Sequence, residues 1–356
     1  MFVGIADTFT ASFASEAEVS GVSLVSSFNT VLIFLFTVLS SGGAVIISQY
    51  IGSRRNDLAS RASGQLLMLS SLLSAVLTAL ILLFQTPLLK LLFGRIETNV
   101  MTACRTYLFI TTLSLPFLAV YDAGAALCRS IGKTNVTMYI SIAANVINVA
   151  GNCIGVFLLH MGAAGVAYPS LLSRILSAIA VTAYCFRREN PVHYKLSDIF
   201  CQDGALLKKI IHIALPNGVE NGVHQLVKVA LSSMVALFGT YQIAANGVAQ
   251  SIWSLAAIMG LAMAPVYTTV IGQYMGAKDI DAANFYFKKL NRITLLLSIL
   301  WNALIFALTP LIVRYSAISP KRKSWCSGWS SSIIFLTAWH ILLPVLWAAG
   351  CGPPGT

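Results

Sequence analysis

The sequence predicts an all-α integral membrane protein built from two related helical lobes, the second of them incomplete. Three observations predict it. Of the 356 residues, 57% are hydrophobic and only 10% charged, with a mean hydropathy of +0.80; a soluble globular chain carries about 25% charged residues. The charges sit in short clusters between apolar runs of roughly 20 residues, the length a helix needs to cross the hydrocarbon core. Finally, "ISQYIGSRRNDLA" at 47–59 returns as "IGQYMGAKDIDAA" at 271–283, identical at six of thirteen positions and offset by 224. Chance gives about one match at ordinary residue frequencies.

Backbone facing lipid must satisfy its own hydrogen bonds, so the runs are helices; the ten-residue alternation of a membrane β-barrel is absent. In chain order they are an apolar stretch at 1–14, spans at 22–47, 62–84, 104–127, 136–159, 163–186, 210–237, 243–272 and 289–313, and a last apolar stretch at 332–350. "TPLL" at 86–89 recurs as "TPLI" at 309–312, one residue out of step. An offset this long is no solenoid repeat, which runs at 20–50 residues. It marks a duplicated half-protein. The polar stretch 187–209 lies between the copies and is expected to be a cytoplasmic linker. It divides an N-terminal lobe, 1–186, from a partial C-terminal lobe, 210–320.

The net charge of +11 reports orientation and not nucleic-acid binding. Counting 1–14 as the first span, the loops after the even-numbered spans carry 14 Lys/Arg, and the opposite side carries four before residue 320. That bias places the richer loops and the N-terminus in the cytoplasm. Seven cysteines form no CxxC, five histidines no HExxH, and no phosphate-binding loop is present. No metal, cofactor or ATP motor is expected, and no enzyme.

Three acids fall inside apolar runs: Asp7, Asp122 and Glu220. A carboxylate there costs at least ~2.5–3.5 kcal/mol on insertion scales, so each is a functional candidate by default. Asp7 is the sole acid of its stretch. Glu220 either functions or pairs with His224 at i+4. Asp122 is read as a structural partner of Arg129, two turns on. Asn148 and Asn152 are also i, i+4, which puts both amides on one helical face. They either bond neighbouring helices, as polar residues do in membranes, or line a polar cavity opposite Asp7. Arg174 and Lys228 are intramembrane cations that neutralise a carboxylate or snorkel. Prolines at 87, 116, 169, 216, 265 and 310 permit kinks.

The runs "GIADTFTASFASEAEVSGVSLV", "GGAVIISQYIGSRRND", "ALCRSIGKTNVTMYISIAANVINVAGN" and "GAAGVAYPSLLSRI" together resemble the multidrug and toxic compound extrusion (MATE) family of the MOP superfamily. So does "IAANGVAQSIWSL" followed by "VIGQYMGAKD". The resemblance covers roughly residues 1–318. It implies twelve helices in two six-helix lobes related by a pseudo-twofold axis along the membrane normal. It also implies export of cationic, amphipathic compounds in exchange for protons or sodium ions. A multi-pass monomer in the bacterial cytoplasmic membrane is expected. The family's first-helix aspartate falls on Asp7 and its fifth-helix asparagines on Asn148 and Asn152. Its sixth-helix Ala-Thr becomes Pro169-Ser170. Some members carry a glutamate in the seventh helix where His224 stands; Glu220 lies one turn earlier. A lipid-linked oligosaccharide flippase of the same superfamily, an integral membrane enzyme and an inactive gene fragment are the competing readings.

The two ends are expected to be incomplete. Residues 1–14 are too short for a span of about 20 residues. The offset of 224 sets Thr356 opposite Gly132, the end of the fourth helix. Four of six tryptophans crowd into the last 36 residues, and "PKRKSWCSGW" puts a basic cluster on the wrong side. "GCGPPGT" at 350–356 can be encoded so that a shifted frame reads Leu-Arg-Ala-Ala-Gly-Asp, which resembles "LCRSIGK" at 127–133. A frame-slipped tail over 321–356 is the expectation, and with it a chain that does not transport as given.

Overall fold

The computed structural model describes residues 16–93, 98–200, 203–236 and 240–315, and they are helical almost throughout. In chain order the helices are α1 (Glu16–Gly52), α2 (Asn56–Leu83), α3 (Gln85–Phe93), α4 (Thr98–Leu113), α5 (Leu115–Ser130), α6 (Thr134–Cys153), α7 (Gly162–Cys185), α8 (Leu196–Phe200), α9 (Gly204–Ala236), α10 (Thr240–Gly276) and α11 (Ile280–Tyr315). Among the described residues six stretches are long and apolar enough to cross a membrane, or seven if the bent pair α4–α5 counts as one. Asp7, the 1–14 stretch and the tail 321–356 lie outside the described residues.

The expected span 104–127 is broken at Ser114, where α4 and α5 meet at 42°, next to one of the prolines expected to permit a kink. Pro116 sits in the first turn of α5. It has no N–H for the Thr112 carbonyl, and its ring clashes with that carbonyl. The Thr78 hydroxyl donates to Thr112 O at 3.4 Å, and the Ser114 hydroxyl donates to Thr111 O at 2.6 Å. Pro169, Pro216 and Pro265 instead lie within continuous helices. The last turn of α6 widens to a π-turn over Ile154–Leu158.

The chain divides into two compact units, Met1–Gly218 and Val219–Thr356. In the first unit α1 packs on α2, α4 and α5, while α7 packs on α4, α5 and α6. Its core has two storeys. One gathers Phe36, Leu108, Leu115 and Val166; the other gathers Ile47, Leu66, Leu127 and Ile210. The polar stretch after α7 is folded onto α2. Gln65 is fully buried there, its Nε2 donating to Asp198 O at 2.7 Å while its Oε1 accepts from Asp203 N at 3.1 Å. Asp203 then caps α9 through the Ala205 and Leu206 amides, satisfying donors that a helix N-terminus leaves open. Arg61 pairs with Asp203 and Lys195 with Asp57, both at 3.4 Å. The first four turns of α9 also belong to this unit. A Cβ on Gly42 would stand 2.8 Å from that of Ala214, and Asn217 Nδ2 donates to Ser41 Oγ at 3.1 Å. In the second unit α10 and α11 pack against each other.

Candidate functional site

Helix α6 carries Asn148, Gly151 and Asn152 at i, i+3 and i+4, hence on one face, and Gly155 follows in the π-turn that continues it. That face meets α7 almost backbone to backbone. A Cβ on Gly151 would lie 2.6 Å from Pro169, and one on Gly155 would lie 2.2 Å from Gly165 O. Small residues permit such approach where no hydrophobic effect drives helices together. The close seam brings Asn148 Nδ2 within 2.8 Å of Ser170 Oγ, to which it donates. Asn148, Asn152 and Ser170 are all at most 1% exposed. Among the described residues Asn148 Oδ1 accepts no hydrogen bond. A buried amide oxygen left in that state costs free energy unless a proton donor or cation meets it. The three side chains offer hard oxygen donors, the kind suited to sodium rather than to a soft ion.

One turn beyond Ser170, Arg174 donates from Nη1 to Ser114 Oγ at 2.6 Å, at the break between α4 and α5. Asp122 lies within electrostatic reach of both Arg129 and Arg174. The sequence reading anticipated Arg129 alone. It missed Ser114, because the partner stands sixty residues away. Two further pairs join α1 to α4: buried Asn29 Nδ2 donates to Thr111 Oγ1 at 3.0 Å, and the half-buried Ser26 hydroxyl to Tyr107 Oη at 3.4 Å. Their only sequence signal is spacing, i, i+3 on α1 and i, i+4 on α4. The polar interior of the first unit is therefore wider than the asparagine pair.

Of the remaining candidates, Asp7 lies outside the described residues. Glu220 lies on α9 in the second unit and is exposed. His224 belongs to the same helix, and its side chain falls outside the described residues. Among the described residues no group of three or more His, Cys, Asp or Glu is placed to hold a metal ion.

Buried amides and an arginine inside a bundle of apolar spans define a multi-pass membrane protein with a polar interior. Residues 1–154 and 216–349 match the model of the MatE family, and the chain belongs to that family. It is 27% identical over 288 residues to the uncharacterized transporter YisQ of Bacillus subtilis, covering 80% of this chain and 62% of that protein. The probable multidrug resistance protein YoeA of Bacillus subtilis is 26% identical, covering 74% of this chain and 58% of its own length. The probable multidrug resistance protein NorM of Thermotoga maritima is 24% identical, with 78% and 60% covered. The chain thus spans about three-fifths of the length of these relatives. A MATE crystal structure in the bent conformation shares the fold with a TM-score of 0.83 at 20% identity, over 97% of this chain and 80% of that one. A MOP-superfamily transporter from Pyrococcus furiosus matches with a TM-score of 0.80 at 20% identity, over 98% and 82%. The two-lobe, all-α fold is that of the MATE proteins.

Proposed function

We propose that the chain carries the coupling machinery of a secondary active exporter of cationic, amphipathic compounds, driven by antiport of protons or sodium ions. The observation that carries the proposal is the buried Asn148–Ser170 hydrogen bond, with Asn152 buried on the same helical face, inside a membrane bundle. The multidrug names of several relatives support the substrate class. In this reading Asp7 is the coupling carboxylate. An anionic Asp7 favours a cation, and burial raises a carboxyl pKa so that a proton can serve instead. Export follows if coupling ion and drug prefer opposite states of one equilibrium. Glu220 and His224 are second-lobe candidates for contact with substrate. The chain acts as a monomer in a bacterial cytoplasmic membrane, with its N-terminus and basic loops inside, and residues 187–209 join lobes at 1–186 and 210–320.

The test begins with binding. In detergent at constant ionic strength, replacing potassium by sodium should raise the melting temperature of the 356-residue chain, and Asn148→Ala should remove the rise. A melting temperature that follows pH, ignores sodium and loses its pH response in Asp7→Asn identifies the proton instead. Efflux of a fluorescent cation from liposomes under separate pH and sodium gradients then tests transport. A chain whose melting responds to neither ion, and which moves no cation under either gradient, sinks the proposal.

A further inference from the structure

Helices α5 and α7 end side by side, and each places a cysteine one turn or less from its last residue. Cys128 and Cys185 are 0% and 1% exposed, and their sulfurs are 3.8 Å apart. The Cys185 thiol also points at Gly124 O, at 3.7 Å. Gly124 has no room for a larger side chain, since a Cβ there would meet Val181 at 2.9 Å. The chain then folds back over the pair. Tyr194 N donates to Cys185 O at 2.9 Å, and Asn190 Nδ2 to Tyr184 O at 2.9 Å. The Tyr194 ring packs edge-on to Phe186. Tyr194 is 2% exposed, its hydroxyl has no hydrogen-bond partner among the described residues, and it lies within electrostatic reach of both thiols. Burial pushes that phenol well above its ordinary pKa, so it stays a neutral oxygen. The second storey of the core therefore holds two thiols and an unpartnered phenol in one buried cluster.

We propose that Cys128 and Cys185 form a two-coordinate site for a soft monovalent metal cation of the copper(I) and silver(I) class, closed by the loop that carries Tyr194. Thiolates select such ions, and two ligands suffice for linear coordination. Zinc asks for four ligands, which the cluster does not supply. With metal–sulfur bonds of about 2.3 Å the sulfurs would stand about 4.6 Å apart, so they need to separate by less than 1 Å. A disulfide, at about 2.05 Å, asks for a larger movement in the opposite direction and for an oxidant. Binding is a simple exchange: two thiols and one M⁺ give a bis-thiolate complex of charge −1 and two protons released to water. One feature offsets that buried charge: Arg129 lies within electrostatic reach of Cys128. The C-terminal dipole ends of α5 and α7 oppose it, though less than they would oppose two bare thiolates.

The experiment uses silver nitrate in chloride-free buffer with the intact 356-residue chain in detergent. A monothiol competitor such as N-acetylcysteine strips metal from single cysteines but not from a chelating pair. Metal analysis after removal of the competitor should find one silver ion per chain. Either Cys128→Ala or Cys185→Ala should lose it, while Cys104→Ala and Cys153→Ala should keep it. On the unsubstituted chain, silver should protect Cys128 and Cys185 together from alkylation, read by peptide mass spectrometry. This arm does not depend on any variant folding. Silver retained equally by the Cys128→Ala chain, no silver retained at all, or alkylation of the pair at an unchanged rate overturns the proposal.

Discussion

The two copies of the repeated segment make the same turn but rest on different joints. At the end of α1, Arg54 N donates to Ile51 O and Arg55 N to Tyr50 O; at the end of α10, Lys278 N donates to Met275 O and Asp279 N to Tyr274 O. Each pair is a Schellman motif, and every residue is offset by 224. Even the left-handed residue is matched, Arg54 at φ 58° and Lys278 at φ 60°. The repeat noticed in the sequence is thus a repeat of backbone geometry. The packing beside it is not repeated. In the first copy, Gly43 lies on Leu66, where a Cβ would come within 2.4 Å of a leucine methyl. In the second, the equivalents are Tyr267 and Leu290, and the tyrosine hydroxyl reaches Asn291 and Thr294. Gln65 is fully buried under the linker, whereas its equivalent Lys289 helps to line a cavity of about 370 Å³ with the stacked pair Tyr274 and Tyr286. Duplication preserved the turn, which is a local matter of backbone. The joints diverged because each copy packs against different neighbours.

The largest expected effect comes from moving a joint residue across copies. Gly43→Tyr should prevent the first unit from folding, since a buried site without space for a Cβ cannot take an aromatic ring; more than about 4 kcal/mol is at stake. Loss of the monodisperse peak in detergent gel filtration reads it, and a normal peak and melt would show the joints to be interchangeable. Tyr267→Phe should cost the second unit about 1–3 kcal/mol by leaving Asn291 without its partner, read as faster hydrogen exchange in α11 with α2 unchanged. Arg55→Asp should stabilise the first copy by about 1 kcal/mol. Asp279 already caps α11 through the Ala282 amide at 2.9 Å, and Arg55 makes no side-chain cap on α2. Slower exchange in the first turn of α2 would confirm it. The smallest effect should be a matched pair. Arg54→Gly and Lys278→Gly each relieve a left-handed side chain worth about 1 kcal/mol, and the two gains in thermal stability should agree. Unequal gains would mean that the two turns are strained differently.

What the sequence reveals follows from this distinction. Tyr50 and Tyr274 were recognisable as equivalents because a turn of fixed geometry asks for similar residues in both copies. Asn148 and Asn152 were recognisable because a spacing of four is a statement about one helix. Pro116 looked no different from Pro169 or Pro265, yet of these three it alone stands at a break between described helices. What distinguishes it is the company it keeps, Thr78 and Ser114 taking up the carbonyls around the break. Asn29 and Thr111 are 82 residues apart, so only the fold could pair them. The unit boundary at Gly218 was likewise hidden, because α9 runs through it without interruption.

The contact of Gly155 with Gly165 has a mechanical consequence. Two helices whose backbones touch, with Gly151 locked against Pro169 one turn away, cannot slide or roll on each other without collision. For purposes of motion α6 and α7 are a single lever. The Asn148–Ser170 bond is then an internal part of that lever, not a latch between moving pieces. Any displacement of α6 and α7 must appear where the lever meets its bearings. Those lie along the contacts of α7 with α4 and α5, on either side of the bend that Arg174 grips through Ser114.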